Sequence, residues 1–147
     1  MTARQASWSE VAEPLRRARS YWLGTTDPHG APHAVPLWGA VESEVLYLYS
    51  ARRTAKARHV ASDPRVVVHL ESAEDVVIVH GTLEDLGEPL TSPAVIHALM
   101  QKYADPADLP YLPHVDASFD VLWRLLPQRA LLWRLPDFAD SQARWGS

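Results

Sequence analysis

The chain has no cysteine in its 147 residues. That removes disulfides, thiol nucleophiles and thiolate metal sites at once. It has no asparagine, and two lysines, Lys56 and Lys102, stand among 14 Lys and Arg. Six glycines supply no Gly-rich dinucleotide fingerprint, and no strand–helix alternation of the doubly wound kind accompanies them. No apolar run is long enough to span a bilayer. The opening Met1-Thr-Ala-Arg-Gln-Ala6 carries no apolar signal core, so the expectation is a cytoplasmic protein that does not engage a membrane. A formal net charge of −4 gives no general pull toward nucleic acid, so any anion site must be local. Missing asparagine, with abundant Ala, Arg, Val, Leu and Pro, suits a GC-rich bacterial genome.

What is present reads as globular. The apolar fraction is 47% and the charged fraction 22%, an ordinary balance, and the length predicts a single domain over residues 1–147. Ser7-Trp-Ser-Glu10 forms a capping box that opens a helix over residues 8–20, with Trp8, Val11, Leu15 and Ala18 on one face. Tyr21–Thr26 and Ala31–Val41 read as strands around the turn Asp27-Pro-His-Gly30. Pro32 and Pro36 mark an edge, a bulge or a stretch whose backbone faces a ligand. Val45–Ser50 is a third strand, and a short helix follows over Arg53–Ser62. Arg65–Glu71 and Val76–Leu86 form a second hairpin. Their continuous apolar runs need cover on both faces, as a closed barrel plus a dimer interface would provide. A helix is expected over Thr91–Ala104, an irregular linker over Asp105–Asp116, then two strands, Phe119–Leu126 and Arg129–Leu135, and a polar tail. Meandering strands with few helices predict an α+β fold, mainly β: a barrel of six to seven antiparallel strands with a few short helices.

The densest chemistry lies at Ser50-Ala-Arg-Arg-Thr-Ala-Lys56, where the third strand gives way to a helix. A helix start leaves N–H groups unpaired and carries partial positive charge. Arg adds a fork for two phosphate oxygens, Lys a point charge, and Ser and Thr hydroxyl donors. The cluster suits a phosphate. The competing reading is a solvated first turn of a surface helix.

Elsewhere the signals are thinner. Seven histidines lack dense ligand spacing, so no metal site is expected. Of six tryptophans, Trp38 divides between stacking on a ligand and core packing, while Trp123 and Trp133 read as core or interface. Trp145 reads as cover for a partner's groove or as loose tail. Tyr103, Tyr111 and His114 in a proline-rich loop offer proton donors or plain packing.

Taken together and in order, these pieces resemble the split β-barrel flavin and deazaflavin proteins related to pyridoxamine 5′-phosphate oxidase, most closely the short deazaflavin-dependent branch. The resemblance rests on Gly24-Thr-Thr26, the Asp27–Gly30 turn, Val35-Pro-Leu-Trp38, the Ser50–Lys56 junction, Ala57-Arg-His-Val60, Asp63-Pro-Arg-Val66, Trp133 and Arg144-Trp145. Ala143 stands where relatives usually have Thr. The resemblance implies that Ser50, Arg53, Thr54 and Lys56 grip the cofactor phosphate. It implies that Val35, Pro36, Leu37 and Trp38 form the strand along the tricyclic ring. It also implies a homodimer with the cofactor between subunits, and hydride transfer from reduced coenzyme F420 to a small unsaturated or planar substrate. No catalytic residue is identified. FMN, in an oxidase or flavin reductase of the same fold, is the alternative, as is a cofactor carrier without turnover. Short architecture, the Thr-Ala-Lys junction and GC-rich composition favour F420. The distinctive C-terminal substrate-binding segment of a true pyridoxamine phosphate oxidase is not found in these residues, so that activity is not expected.

Overall fold

Ser7 opens the first helix with the reciprocal cap its sequence encodes. Its hydroxyl accepts from the Glu10 N–H (3.3 Å) and its own N–H donates to the Glu10 carboxylate (2.7 Å). In this computed structural model, which describes residues 3–147, helix α1 spans Trp8–Arg17, three residues short of the expected end because the chain turns extended at Ala18. Val11 and Leu15 point inward from it and are fully buried.

The strands are β1 (Arg4–Gln5), β2 (Tyr21–Thr26), β3 (Pro32–Leu37), β4 (Gly39–Glu42), β5 (Val45–Ser50), β6 (Arg65–His69), β7 (Asp75–Asp85), β8 (Val121–Arg134) and β9 (Ala143–Gly146). The helices after α1 are α2 (Ala55–Ser62), α3 (Pro93–Lys102) and the single turn α4 (Phe138–Ser141). The class is the α+β, strand-dominated one expected, with two short strands at the termini added to the count. The hydrogen-bonded order runs β1-β9-β8-β7-β6-β2-β3, with β5 branching from β8 and β4 from β5. The path does not return on itself, so the expected closed barrel is an open one.

Three departures from the sequence reading have local causes. The single strand expected over Ala31–Val41 breaks at Trp38 into β3 and β4. Gly39 makes the corner: a Cβ there would press into the Tyr47 carbonyl oxygen and the Leu48 side chain. The two strands expected over Phe119–Leu135 are one, β8. It carries Pro127 through the ladder by a bulge, since the register passes from Gly81↔Pro127 to His80↔Arg129 and leaves Gln128 as the extra residue. The polar tail is not loose. It returns as β9 along β8, and Trp145 packs on Trp8 with ring centroids 4.8 Å apart.

Alternation along the strands sorts side chains into two cores. The larger gathers Val11, Leu15, Tyr21, Leu23, Leu48, Val68, Val79 and Trp123 inside the barrel. The smaller gathers Tyr49, Val95, Leu99, Tyr103, Leu112 and Leu122 under α3, with Trp38 and Phe119 packed against it. Trp38 therefore lies on the seam where β3, β5 and α3 meet.

Candidate functional site

A cleft of about 330 Å³ opens at that seam, lined by Pro36, Leu37, Trp38, Tyr49, Ser50, Lys56, Tyr111 and Phe119. Sequence segments far apart converge here. The end of β3 supplies one wall, the end of β5 the floor, and the first turn of α2 a cation. The segment after α3, which contains a 3₁₀ stretch at Pro106–Tyr111, supplies the opposite wall.

Trp38 stacks face to face on Tyr103, centroids 4.2 Å apart and 7° from parallel, and meets Tyr111 edge-on at 5.8 Å. Tyr49 and Phe119 form a second edge-to-face pair at 5.3 Å. Such contacts hold aromatic walls in place. The Tyr49 hydroxyl donates to the Tyr111 carbonyl at 2.6 Å, and burial pushes its ionisation well above the usual phenol range. It stays a neutral donor.

Of the eight residues assigned to the cofactor by resemblance, five line the cleft: Pro36, Leu37, Trp38, Ser50 and Lys56. Ser50 is buried. Burial lowers the Lys56 ammonium below its ordinary value, and a bound anion would reverse that. Thr54 acts as the cap of α2, donating to the Ala51 carbonyl at 2.7 Å and accepting from the Ala57 N–H at 3.4 Å. Arg53 is exposed beside the junction. Its neighbour Arg52 is occupied by a forked pair with Asp85 at 2.6 and 3.0 Å. Val35 half-buries against the barrel core.

Sequence reasoning missed Tyr49 and Phe119, and it also missed what lies behind Trp38. There the Arg19 guanidinium sits 4.9 Å from the Trp38 ring centroid and forks onto Asp108 at 2.8 and 3.1 Å. The Tyr103 hydroxyl donates to the Arg19 carbonyl at 2.6 Å and accepts the Gly39 N–H at 3.3 Å. Lys102 Nζ donates to Tyr21 Oη at 2.8 Å and to the Gly39 carbonyl at 2.7 Å. Burial, with Arg19 adding repulsion, pulls its ionisation down from 10.5 to about 7. The available signal was its rarity: the chain's two lysines flank one site.

Among the described residues no group of three His, Cys, Asp or Glu could hold a metal ion, and no helix is long and apolar enough to cross a membrane. His80 Nδ1 and His114 Nδ1 are buried without a partner.

A family profile described as pyridoxamine 5′-phosphate oxidase matches residues 7–133. No protein of curated function matches the chain in sequence. Among solved structures, a conserved hypothetical protein from Mycobacterium tuberculosis is 26% identical with a TM-score of 0.72, over 92% of this chain and 89% of that one. An F420 reductase is 24% identical with a TM-score of 0.62, over 80% and 94%. A heme binding protein from Mycobacterium smegmatis is 22% identical with a TM-score of 0.68, over 89% of this chain and 55% of that one.

Proposed function

Since the chain belongs to the pyridoxamine 5′-phosphate oxidase family, we propose that it is a cytoplasmic, homodimeric oxidoreductase that binds coenzyme F420 and reduces a small unsaturated or planar substrate. The observation that carries this reading is the cleft. It is a slot with aromatic walls and a lysine at one end, which fits a flat ring bearing a phosphorylated tail. Pro36, Leu37 and Trp38 would lie along the ring. Lys56, the Ser50 hydroxyl and the start of α2 would meet the phosphate, with Arg53 reaching in from its exposed position. Val35 and Thr54 would serve by holding β3 against the core and setting the first turn of α2.

Bound reduced deazaflavin supplies the hydride donor. The protein's share is positioning. The Trp38–Tyr103 stack fixes one wall, and the Tyr49–Tyr111 hydrogen bond fixes the other relative to it. Together they would hold a bound ring in place and leave room for substrate beside it. The F420 reductase that shares this fold supports the choice of cofactor.

The homodimer is supported by the outer face of the β2-β6-β7-β8 sheet. Trp22, His69, Ile78 and Leu131 run in register across it, with Val67 alongside, a stripe that is apolar but for the histidine and that the chain itself leaves partly open. A second copy covering this stripe would bury it.

Titration of the purified protein with F420 and with FMN, followed by tryptophan quenching, tests the reading. Sedimentation of the same sample gives the subunit count. Binding of F420 but not FMN, with oxidation of reduced F420 by enones or quinones, is the expected result. FMN binding alone makes it a flavin enzyme, and F420 binding without oxidation makes it a carrier. If neither binds, the cleft has another use.

A further inference from the structure

A second recess, of about 480 Å³, lies between α2 and the adjoining ends of β7 and β8. That volume is within the ordinary range for a small-molecule site, about 300–1,000 Å³. The recess shares no lining residue with the cleft at Trp38. Ala57, Val60 and Ala61 present one face of α2 to it, at the i, i+3, i+4 spacing that puts three side chains on one side. Two of the three are alanines, which leave room that longer side chains would fill. Leu83, Val121 and Trp123 form the opposite wall. Trp123 is 2% exposed. Among the described residues Trp8 is the one tryptophan whose indole N–H finds a partner, the Glu44 carbonyl. The sealed side-chain atoms without a partner are His80 Nδ1 and His114 Nδ1, and the Trp123 nitrogen is not one of them. Its N–H therefore meets open space, and the open space that Trp123 borders is this recess.

The charged lining is two guanidiniums, Arg52 and Arg58, and one carboxylate, Asp85. Asp85 is occupied. It accepts both arms of Arg52, at 2.6 and 3.0 Å, and the Gly87 N–H at 2.8 Å. Arg52 and Asp85 thus cancel. Arg58 makes one hydrogen bond among the described residues, from Nη1 to the Arg53 carbonyl at 2.7 Å. A guanidinium has five N–H donors, so Arg58 keeps most of them for something else. An exposed cation and a buried neutral N–H flank apolar walls, and the lining side chains offer no acceptor to match them. We propose that this recess binds a small organic carboxylate with a compact apolar body. The body packs against Val60, Leu83 and Val121, the carboxylate pairs with Arg58, and the Trp123 N–H is the second donor. Because the two sites share no lining residue, this binding does not depend on what the cleft holds.

Benzoate is the probe. In uniformly ¹⁵N-labelled full-length protein the six tryptophans give separate indole N–H signals, and Trp123→Phe and Trp38→Phe identify two of them. Benzoate should shift the Trp123 signal saturably, with half-saturation below about 1 mM, and leave the Trp38 signal in place. Benzamide and benzylamine keep the ring and lose the negative charge, and each should bind at least about 10-fold more weakly. Arg58→Gln should weaken benzoate by about 10-fold or more. Ala61→Leu fills the recess without touching a charge and should abolish binding. Both substitutions fall at exposed positions of α2, so the fold is kept and the affinity test does not depend on Trp123→Phe. No saturable shift at Trp123 up to about 10 mM benzoate overturns the proposal. So does equal binding of benzamide, unchanged affinity in Arg58→Gln, or a shift at Trp38 in place of Trp123.

Discussion

The Tyr49 hydroxyl reaches the Tyr111 carbonyl across 2.6 Å, and this bond ties the floor of the cleft, on β5, to the wall that follows α3. Tyr111 is otherwise loosely held, with 58% of its surface exposed. Tyr49→Phe keeps the ring on Phe119 and removes the tie. The expected loss of stability is about 1 kcal/mol, within the ordinary range for one hydrogen bond. The urea midpoint should fall with an unchanged slope. Ligand affinity should fall further than stability predicts, because the wall loses its position as well as its energy.

Lys56→Ala combined with Arg53→Ala tests the phosphate contact. Charge-assisted hydrogen bonds contribute about 1.5–3 kcal/mol each, so losing both should weaken cofactor binding by at least about 100-fold. Neither side chain forms an ion pair among the described residues, and the double variant should remain folded with an unchanged subunit count. Equal affinity in the variant and wild type would show that the junction is only a helix start.

Gly39→Ala probes the corner that places Trp38. The added methyl would meet backbone, the Tyr47 carbonyl oxygen, and the packed Leu48 side chain, and backbone cannot rotate away as a surface side chain can. Overpacking of this kind costs about 1–3 kcal/mol. The lowered melting temperature should come with a weaker Trp38–Tyr103 signature in the near-ultraviolet circular dichroism spectrum, since β4 would be pushed off β5 beside that stack.

These three sites differ in how far the sequence revealed them. Ser7 and Glu10 mark their helix by local chemistry that needs no tertiary information, and the structure follows them. The strand pattern of β2, β5, β6 and β7 was equally plain, because alternation and apolar runs are local signals. Gly39 and Gln128 were invisible for the opposite reason: the corner and the bulge exist because of the strands facing them. In the site, charge density at Ser50–Lys56 drew attention, while Tyr49 and Phe119 looked like core. Tyr49's role depends on which side of β5 faces the seam, and Phe119's on the path of the loop before β8. Lys102 carried no pattern at all beyond its scarcity. Its meaning comes from Tyr21, 81 residues away in sequence. The tail was misread because β9 is polar on its outer positions, and its one buried residue, Ala143, is small.

The depressed ionisation of Lys102 also sets the pH dependence of stability. In the folded chain the amine holds its proton up to about pH 7, and the ordinary value is 10.5. Between those values the unfolded chain binds the proton and the folded chain does not, so stability rises as pH increases through this window. Each unit of displacement corresponds to about 1.4 kcal/mol, and partial exposure to water reduces the total to the order of 2–4 kcal/mol. Tyr21, Tyr49 and Tyr103 act in the other sense. Burial raises their ionisation in the folded chain, so their contribution is complete below pH 10 and is lost above it, where the unfolded phenols give up their protons. The two effects together predict a stability maximum on the alkaline side of neutrality, between about pH 9 and 10. Urea unfolding at pH 6, 7.5, 9 and 10.5 should trace that rise and fall. Lys102→Met should flatten the rising limb and leave the falling one. A wild-type profile already flat between pH 6 and 9 would mean that Lys102 is charged in the fold.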